Sequence, residues 1–208
     1  MIFIAAGLGS ARAVPTLTFF DGVNTVTVVD NGVGDINLTL GNIVVSGSLG
    51  SGGIWSGNAS GSVGGQPALG LPVFTLNSLD ISTSAGGTLT ITLTDGTYHS
   101  NFGSVATTIF GGVSSNGTIL YQTFANNTLL TSIGLITGTP FNLSTTGVLP
   151  SDPTYTLKQQ VTITHTGAGT TSFEAILAVP DAGATCMLLG SALMGMSFLR
   201  RRKAASIS

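Results

Sequence analysis

Residues 88–94 read Thr-Leu-Thr-Ile-Thr-Leu-Thr, a strict alternation of polar and apolar side chains. Successive side chains of a β-strand point to opposite faces, so this pattern predicts a strand with an apolar face and a threonine face. Further strand-like runs are Thr16–Phe20 and Thr25–Val29, which flank the turn dipeptide Asp21-Gly22, then Ile36–Val45, Val73–Thr83, Val105–Val113, Thr118–Ala125, Leu129–Thr137, Thr156–Thr166 and Phe173–Ala178. No segment before Pro180 has a sustained helical period. The chain is therefore predicted to be all-β up to that proline.

The number and spacing of these runs predict an antiparallel two-sheet sandwich or jelly roll. The alternative is a right-handed β-helix, for which the sequence has no fixed repeat length. Within Val73–Thr83 the apolar positions change parity, which indicates a β-bulge at Asn77-Ser78. The stretch Ser46–Gly70 contains nine glycines and no charged residue, and it is predicted to be a loop.

Charge is scarce and unevenly placed. Only 7% of the residues are charged, against roughly 25% in an average soluble domain. Between Val14 and Ala178 there are seven acidic residues and one basic residue, Lys158. Such a surface repels phosphate groups, so nucleic acid is not expected as a partner.

The C-terminal part of the chain changes character. From Ala182 to Leu199 there are 18 uncharged, mostly apolar residues, and Arg200-Arg201-Arg202-Lys203 follow directly. A helix of that length spans ~27 Å, which is enough for one membrane crossing. Basic residues stay on the cytoplasmic side, so everything before Val179 is expected outside the cytoplasm. The alternative is a buried amphipathic helix, but this segment has no charged face.

A short motif, Val179-Pro180-Asp181-Ala182-Gly183, stands just before the apolar run. The motif, the apolar segment and the basic cluster together resemble the PEP-CTERM class of sorting tails, in particular the VPDSG-type variant. The sequence departs from that variant at Ala182, where the pattern has serine. The resemblance implies that an exosortase, a multi-pass membrane enzyme, cuts near the motif and that the protein is then released or re-anchored at the cell surface. It covers Val179 to Lys203 only.

The N-terminus carries a second export signal. A short apolar run ends in Ala11-Arg12-Ala13, and small residues at this spacing are what signal peptidase requires. Cleavage is predicted between Ala13 and Val14, in a signal peptide that lacks its basic beginning. The alternative is a buried N-terminal strand.

Residues able to do chemistry are few. Glu174, the only glutamate, alternates with Phe173, Ala175 and Leu177, so it is expected on an outer face. His99 and His165 are interpreted as isolated surface histidines without a nucleophile motif nearby. Asp30-Asn31-Gly32-Val33-Gly34-Asp35 offers oxygen ligands for Ca²⁺ but lacks the full spacing of a calcium loop, and it is interpreted as a turn. No catalytic residue, metal site or cofactor is predicted.

These features favour an exported structural or adhesive protein of the cell surface or extracellular matrix, anchored by its C-terminal helix before processing. The alternative is a carbohydrate-binding module, with exopolysaccharide as its ligand. Trp55, the only tryptophan, would stack on a sugar ring if it is exposed in the Gly-rich loop, or it would close the edge of the core. Tyr98, Tyr121 and Tyr155 are further candidates for sugar contacts. A hydrolase is the third and weakest hypothesis.

Overall fold

The computed structural model describes residues 14–50, 53–64, 73–98, 103–152 and 154–179. Within these ranges the chain forms twelve strands and no helix. They are β1 Thr16–Phe20, β2 Thr25–Val29, β3 Asn42–Ser48, β4 Trp55–Gly64, β5 Val73–Thr83, β6 Gly87–Tyr98, β7 Ser104–Val113, β8 Gly117–Ala125, β9 Thr128–Ile136, β10 Phe141–Val148, β11 Tyr155–His165 and β12 Gly169–Ala178.

The strands form two six-stranded sheets. The first sheet has the order β2-β1-β6-β11-β8-β9, and the second has the order β10-β7-β12-β5-β4-β3. Neighbouring strands pair antiparallel in both sheets. This confirms the all-β, antiparallel two-sheet prediction and excludes the alternative β-helix, whose strands pair in parallel.

One hydrophobic core lies between the sheets. In β6, Leu89, Ile91 and Leu93 are fully buried while the threonines between them face outward. The same alternation places Phe173, Ala175 and Leu177 of β12 in the core from the opposite sheet. Period-2 patterning therefore determines which face of each sheet is buried, as predicted.

The Gly-rich stretch is not all loop. Ser46–Ser48 ends β3, and Trp55–Gly64 forms the ten-residue strand β4. Glycine is used in β4 because the neighbouring layer comes close. A Cβ on Gly61 would lie 2.7 Å from a methyl carbon of Leu93, so the Leu93 side chain would have to shift to admit a larger residue. The loop prediction was therefore wrong over β4, where glycine reflects close packing.

One other strand prediction needs correction, and one strand was not predicted. Only the second half of Ile36–Val45 is strand, since β3 begins at Asn42. Residues 36–40 instead follow a turn in which Asp35 accepts the backbone N–H of Asn37, and Ile36, Leu38 and Leu40 remain exposed. The strand β10 was not predicted, because its sequence Phe-Asn-Leu-Ser-Thr-Thr-Gly-Val has little apolar alternation.

The bulge in β5 lies two residues beyond the predicted Asn77-Ser78. Thr171 pairs with Ile81 and Phe173 with Ser78, so Ser172 alone faces Leu79 and Asp80. Asp80 has a positive φ of 55°, and its backbone N–H donates to the Ser172 hydroxyl at 3.0 Å. The position was misjudged because Ser78, although polar, is buried and continues the inward row.

The predictions for the two ends fall largely outside the described residues. Val14 and Val179 are described, whereas Ala13 of the signal cleavage site, Pro180–Gly183 of the motif, the apolar segment and Arg200–Lys203 are not. Within the described ranges, no helix is long and apolar enough to cross a membrane.

Candidate functional site

The aromatic residues proposed from the sequence as sugar contacts are buried. Trp55 is 3% exposed, and the tyrosines Tyr98, Tyr121 and Tyr155 are likewise in the core. Tyr98 packs against Phe74 and Tyr155, with ring centroids 5.9 and 6.0 Å apart. None of the four proposed aromatics is available to a ligand at the surface. For Trp55 the core-edge alternative is therefore the one observed.

His165 was interpreted as a surface histidine, and this was wrong. It is buried at the end of β11, where its ring lies 5.9 Å from the Trp55 ring. Its Nε2 is 2.9 Å from the Thr171 hydroxyl, and its Nδ1 is 3.3 Å from both Ser114 Oγ and Asn116 Oδ1. Hydrogen bonding on both nitrogens explains how a polar ring can be kept in the core.

The contact between Ser114 and His165 does not make a nucleophile pair. The Ser114 hydroxyl donates to Asn116 Oδ1 at 2.8 Å, so its proton is directed away from the histidine. No carboxylate is among the hydrogen-bond partners of His165 in the described residues, so nothing there orients the ring as the acid of a triad does. Burial lowers the pKa of His165. The cluster is a neutral structural contact between strands.

The Asp30–Asp35 segment is a turn, as interpreted. The buried Asp30 carboxylate accepts the backbone N–H of Gly41 at 2.8 Å. The Asp35 carboxylate accepts the N–H groups of Asn31, Asn37 and Val44, each at 2.9 Å. Burial raises the pKa of Asp35, but the three N–H donors together outweigh it and leave the pKa lowered. Both carboxylates are thus committed to backbone donors in the protein itself.

The described part of the chain contains no cluster of three or more His, Cys, Asp or Glu residues that could hold a metal ion. The acidic residues are spread over separate turns and strands.

The outer face of the first sheet is an array of hydroxyl and amide groups. One row crosses five strands as Thr27, Thr18, Thr92, Gln160 and Gln122. Two pairs in this row form cross-strand hydrogen bonds between side chains. The Thr18 and Thr27 hydroxyls are 3.3 Å apart, and Gln160 donates to the Thr92 hydroxyl at 3.2 Å. Among the described residues, the polar groups of this face are uncharged apart from the ammonium group of Lys158 on β11.

The outer face of the second sheet has a different composition. Glu174 lies on it, as predicted, with Asn77 of β5 directly opposite on one side and Phe110 of β7 on the other. Asn142 of β10 stands opposite Phe110. Phe110 is 38% exposed. The row Asn77–Glu174–Phe110–Asn142 thus combines an exposed aromatic ring, a carboxylate and two amides.

Sequence reasoning missed Phe110 as a functional candidate. The signal was present, since Val105 and Ile109 are the inward apolar residues of β7 and Phe110 has the opposite parity. Asn77 and Asn142 could not be placed beside it, because strand order is set by pairing between segments far apart in the chain.

No family model matches the chain, and no curated protein matches it. Among solved structures, it is similar to the carbohydrate-binding module TmCBM61 in complex with β-1,4-galactotriose, at 10% identity over 55% of this chain and 86% of that one, with a TM-score of 0.36. It is similar to the K1 cleaved adhesin domain of Lys-gingipain from Porphyromonas gingivalis W83, at 12% identity over 68% and 99% and a TM-score of 0.34. A structure of infectious bursal disease virus, Gt strain, is also similar, at 15% identity over 88% and 54% and a TM-score of 0.37. The binding properties of this chain must therefore be inferred from its own residues.

Proposed function

We propose that this chain is an exported structural or adhesive protein of the cell surface or extracellular matrix, sorted and processed through its C-terminal tail. An exosortase-type membrane enzyme would recognise Val179–Gly183, the apolar segment would span the membrane before processing, and Arg200–Lys203 would remain cytoplasmic. In this proposal the β-domain is the part displayed at the cell surface, and the tail is its sorting signal.

The observation that carries the proposal is where strand β12 ends relative to the motif. Strand β12 lies between β7 and β5 in the second sheet and remains paired up to Ala178. Val179, the first residue of the motif, is 7% exposed and belongs to the core. The remaining motif residues follow it in the sequence. Cleavage within Pro180–Gly183 would therefore leave all twelve strands intact.

The surfaces of the domain support a displayed rather than a catalytic role. The first sheet presents threonine hydroxyls and glutamine amides, and His165 is buried in a hydrogen-bonded cluster. Hydroxyl and amide groups carry no net charge, so salt does not screen their interactions with water. A face rich in these groups therefore stays hydrated at any salt concentration.

Replacing the basic cluster tests the proposal. Four adjacent cations resist entering the bilayer, at about 2.5–3.5 kcal/mol each on insertion scales, so Arg200–Lys203 should hold the segment in place for cleavage. We expect the variant with all four changed to Ser to be exported but poorly processed, with unprocessed chain accumulating or the chain being lost from the membrane. An immunoblot of membrane and surface fractions measures this.

Lys158→Ser provides the matched control, because it removes a positive charge from β11 and leaves the tail unchanged. It should be processed like the parent. Normal processing of the quadruple variant would show that the basic cluster has no sorting role.

A further inference from the structure

We propose that the row Asn77–Glu174–Phe110–Asn142 on the outer face of the second sheet is a binding site for a neutral polysaccharide. This inference rests on the proposed function, since an extracellular polysaccharide is met only by an exported chain. It adds the surface, the residues and the chemical class of ligand.

The geometry of the row follows from strand register. Glu174 pairs with Asn77 on β5 and with Phe110 on β7, and Phe110 pairs with Asn142 on β10. Adjacent strands lie about 4.8 Å apart, so these four residues extend ~14 Å across the sheet. Ser60 of β4 pairs with Asn77 and continues the row. The site is thus an open strip across the strands, suited to the interior of a long polymer rather than to its end.

Each member of the row supplies a different part of sugar recognition. The partly exposed ring of Phe110 offers an apolar face to the C–H groups of a sugar ring. Glu174 lies beside that ring, and within the described part of the chain its carboxylate has no hydrogen-bond or ion-pair partner. It can therefore accept charge-assisted hydrogen bonds from sugar hydroxyls. The asparagines on either side both donate and accept hydrogen bonds.

Charge selects the class of polysaccharide. Between Val14 and Ala178 there are seven acidic residues against one basic residue, Lys158, which lies in β11 of the opposite sheet. A polymer rich in uronic acid or sulfate would meet Glu174 without a compensating cation in the row. A neutral, hydroxyl-rich polymer experiences no electrostatic repulsion from the Glu174 carboxylate.

The first sheet offers an internal comparison. Phe20 on its outer face is 42% exposed, close to the exposure of Phe110, but its cross-strand partners are Thr25 and Thr90, neither of which is a carboxylate. An exposed phenylalanine is therefore present on both faces, and only that of the second sheet has a carboxylate and an amide as its cross-strand partners. Phe20→Ala is the matched control for Phe110→Ala.

The test measures binding of the purified full-length chain, kept in mild detergent, to immobilised hydroxyethyl cellulose, galactomannan, dextran and alginate. We expect saturable binding to at least one of the three neutral polymers and none to alginate. Glu174→Gln, an isosteric change, should weaken that binding roughly tenfold or more, as loss of a charge-assisted hydrogen bond does. Phe110→Ala removes the apolar ring face on which the sugar packs and should weaken binding to a similar extent. Phe20→Ala should bind like the parent.

Three results would overturn the site: no binding of the parent to any neutral polymer, equal binding by the parent and both second-sheet variants, or equal loss in Phe20→Ala. Near-ultraviolet circular dichroism of each variant verifies that it is folded. Because binding is measured on purified protein, failure of this site leaves the sorting proposal untouched, and a sorting defect in the host leaves the binding result untouched.

Discussion

Trp55 of the second sheet and His165 of the first lie with their ring centroids 5.9 Å apart and their planes inclined by 50°. Both are buried, and together they join the two sheets at one end of β4 and β11. The contact accounts for Trp55, which the sequence marked as a possible sugar contact, and for His165, which was interpreted from the sequence as a surface residue. In the folded protein they stabilise the sandwich.

Removing the Trp55 side chain should therefore destabilise the folded domain. We expect Trp55→Ala to lower the free energy of unfolding by about 3–5 kcal/mol, because a large buried aromatic leaves a cavity. Chemical denaturation followed by far-ultraviolet circular dichroism measures this. Phe20→Ala, at an exposed position, should change stability by no more than about 0.5 kcal/mol. A Trp55→Ala variant as stable as the parent would contradict the core assignment.

His165 should make stability depend on pH near neutrality. Burial lowers its pKa in the folded protein, whereas the unfolded chain has the ordinary value of about 6.5. The unfolded state therefore binds the proton first as pH falls. The stabilisation contributed by the neutral His165 ring is complete above pH 6.5 and is lost as pH falls through the folded pKa. The parent should lose stability between pH 7 and 5, while His165→Gln should lose less over that range. His99→Gln is the control, and a parent-like slope in His165→Gln would exclude His165 as its source.

Asp35 should make the stability of the fold depend on pH in a more acidic range than His165 does. Its folded pKa lies below the ordinary 3.8 because three backbone N–H groups bind the carboxylate more strongly than burial disfavours it. The stabilisation is present above the unfolded pKa and is lost as pH falls through the folded pKa. Asp35→Asn should reduce stability at pH 7 and flatten the acid side of the profile. Asp152→Asn, which removes an exposed carboxylate, should leave that side steep. An unchanged acid profile in Asp35→Asn would contradict the turn geometry.

Alternation along the chain was sufficient to predict much of the fold. The bounds of β1, β2 and β5 agree with the sequence prediction residue for residue, and Glu174 lies on the outer face as its neighbours implied. These elements were predictable because burial of one face imposes a period of two on the residues themselves.

What alternation could not supply is how distant segments meet. Gly61 gave no strand signal, since its role is to admit Leu93 from the other sheet. His165 looked isolated in sequence, yet Ser114 and Thr171 reach it from β-strand ends on either side. The row around Phe110 likewise depends on the pairing of β5, β12, β7 and β10, which no local pattern encodes.

The most direct test of the central claim is mass spectrometry of the mature protein from the surface fraction of its native host. There is no Lys or Arg between Lys158 and Arg200, so trypsin releases Gln159–Arg200 as one peptide from the unprocessed chain. Processing at the sorting motif predicts instead a peptide that begins at Gln159 and ends within Val179–Gly183. Recovery of intact Gln159–Arg200 from released or displayed protein would contradict the account.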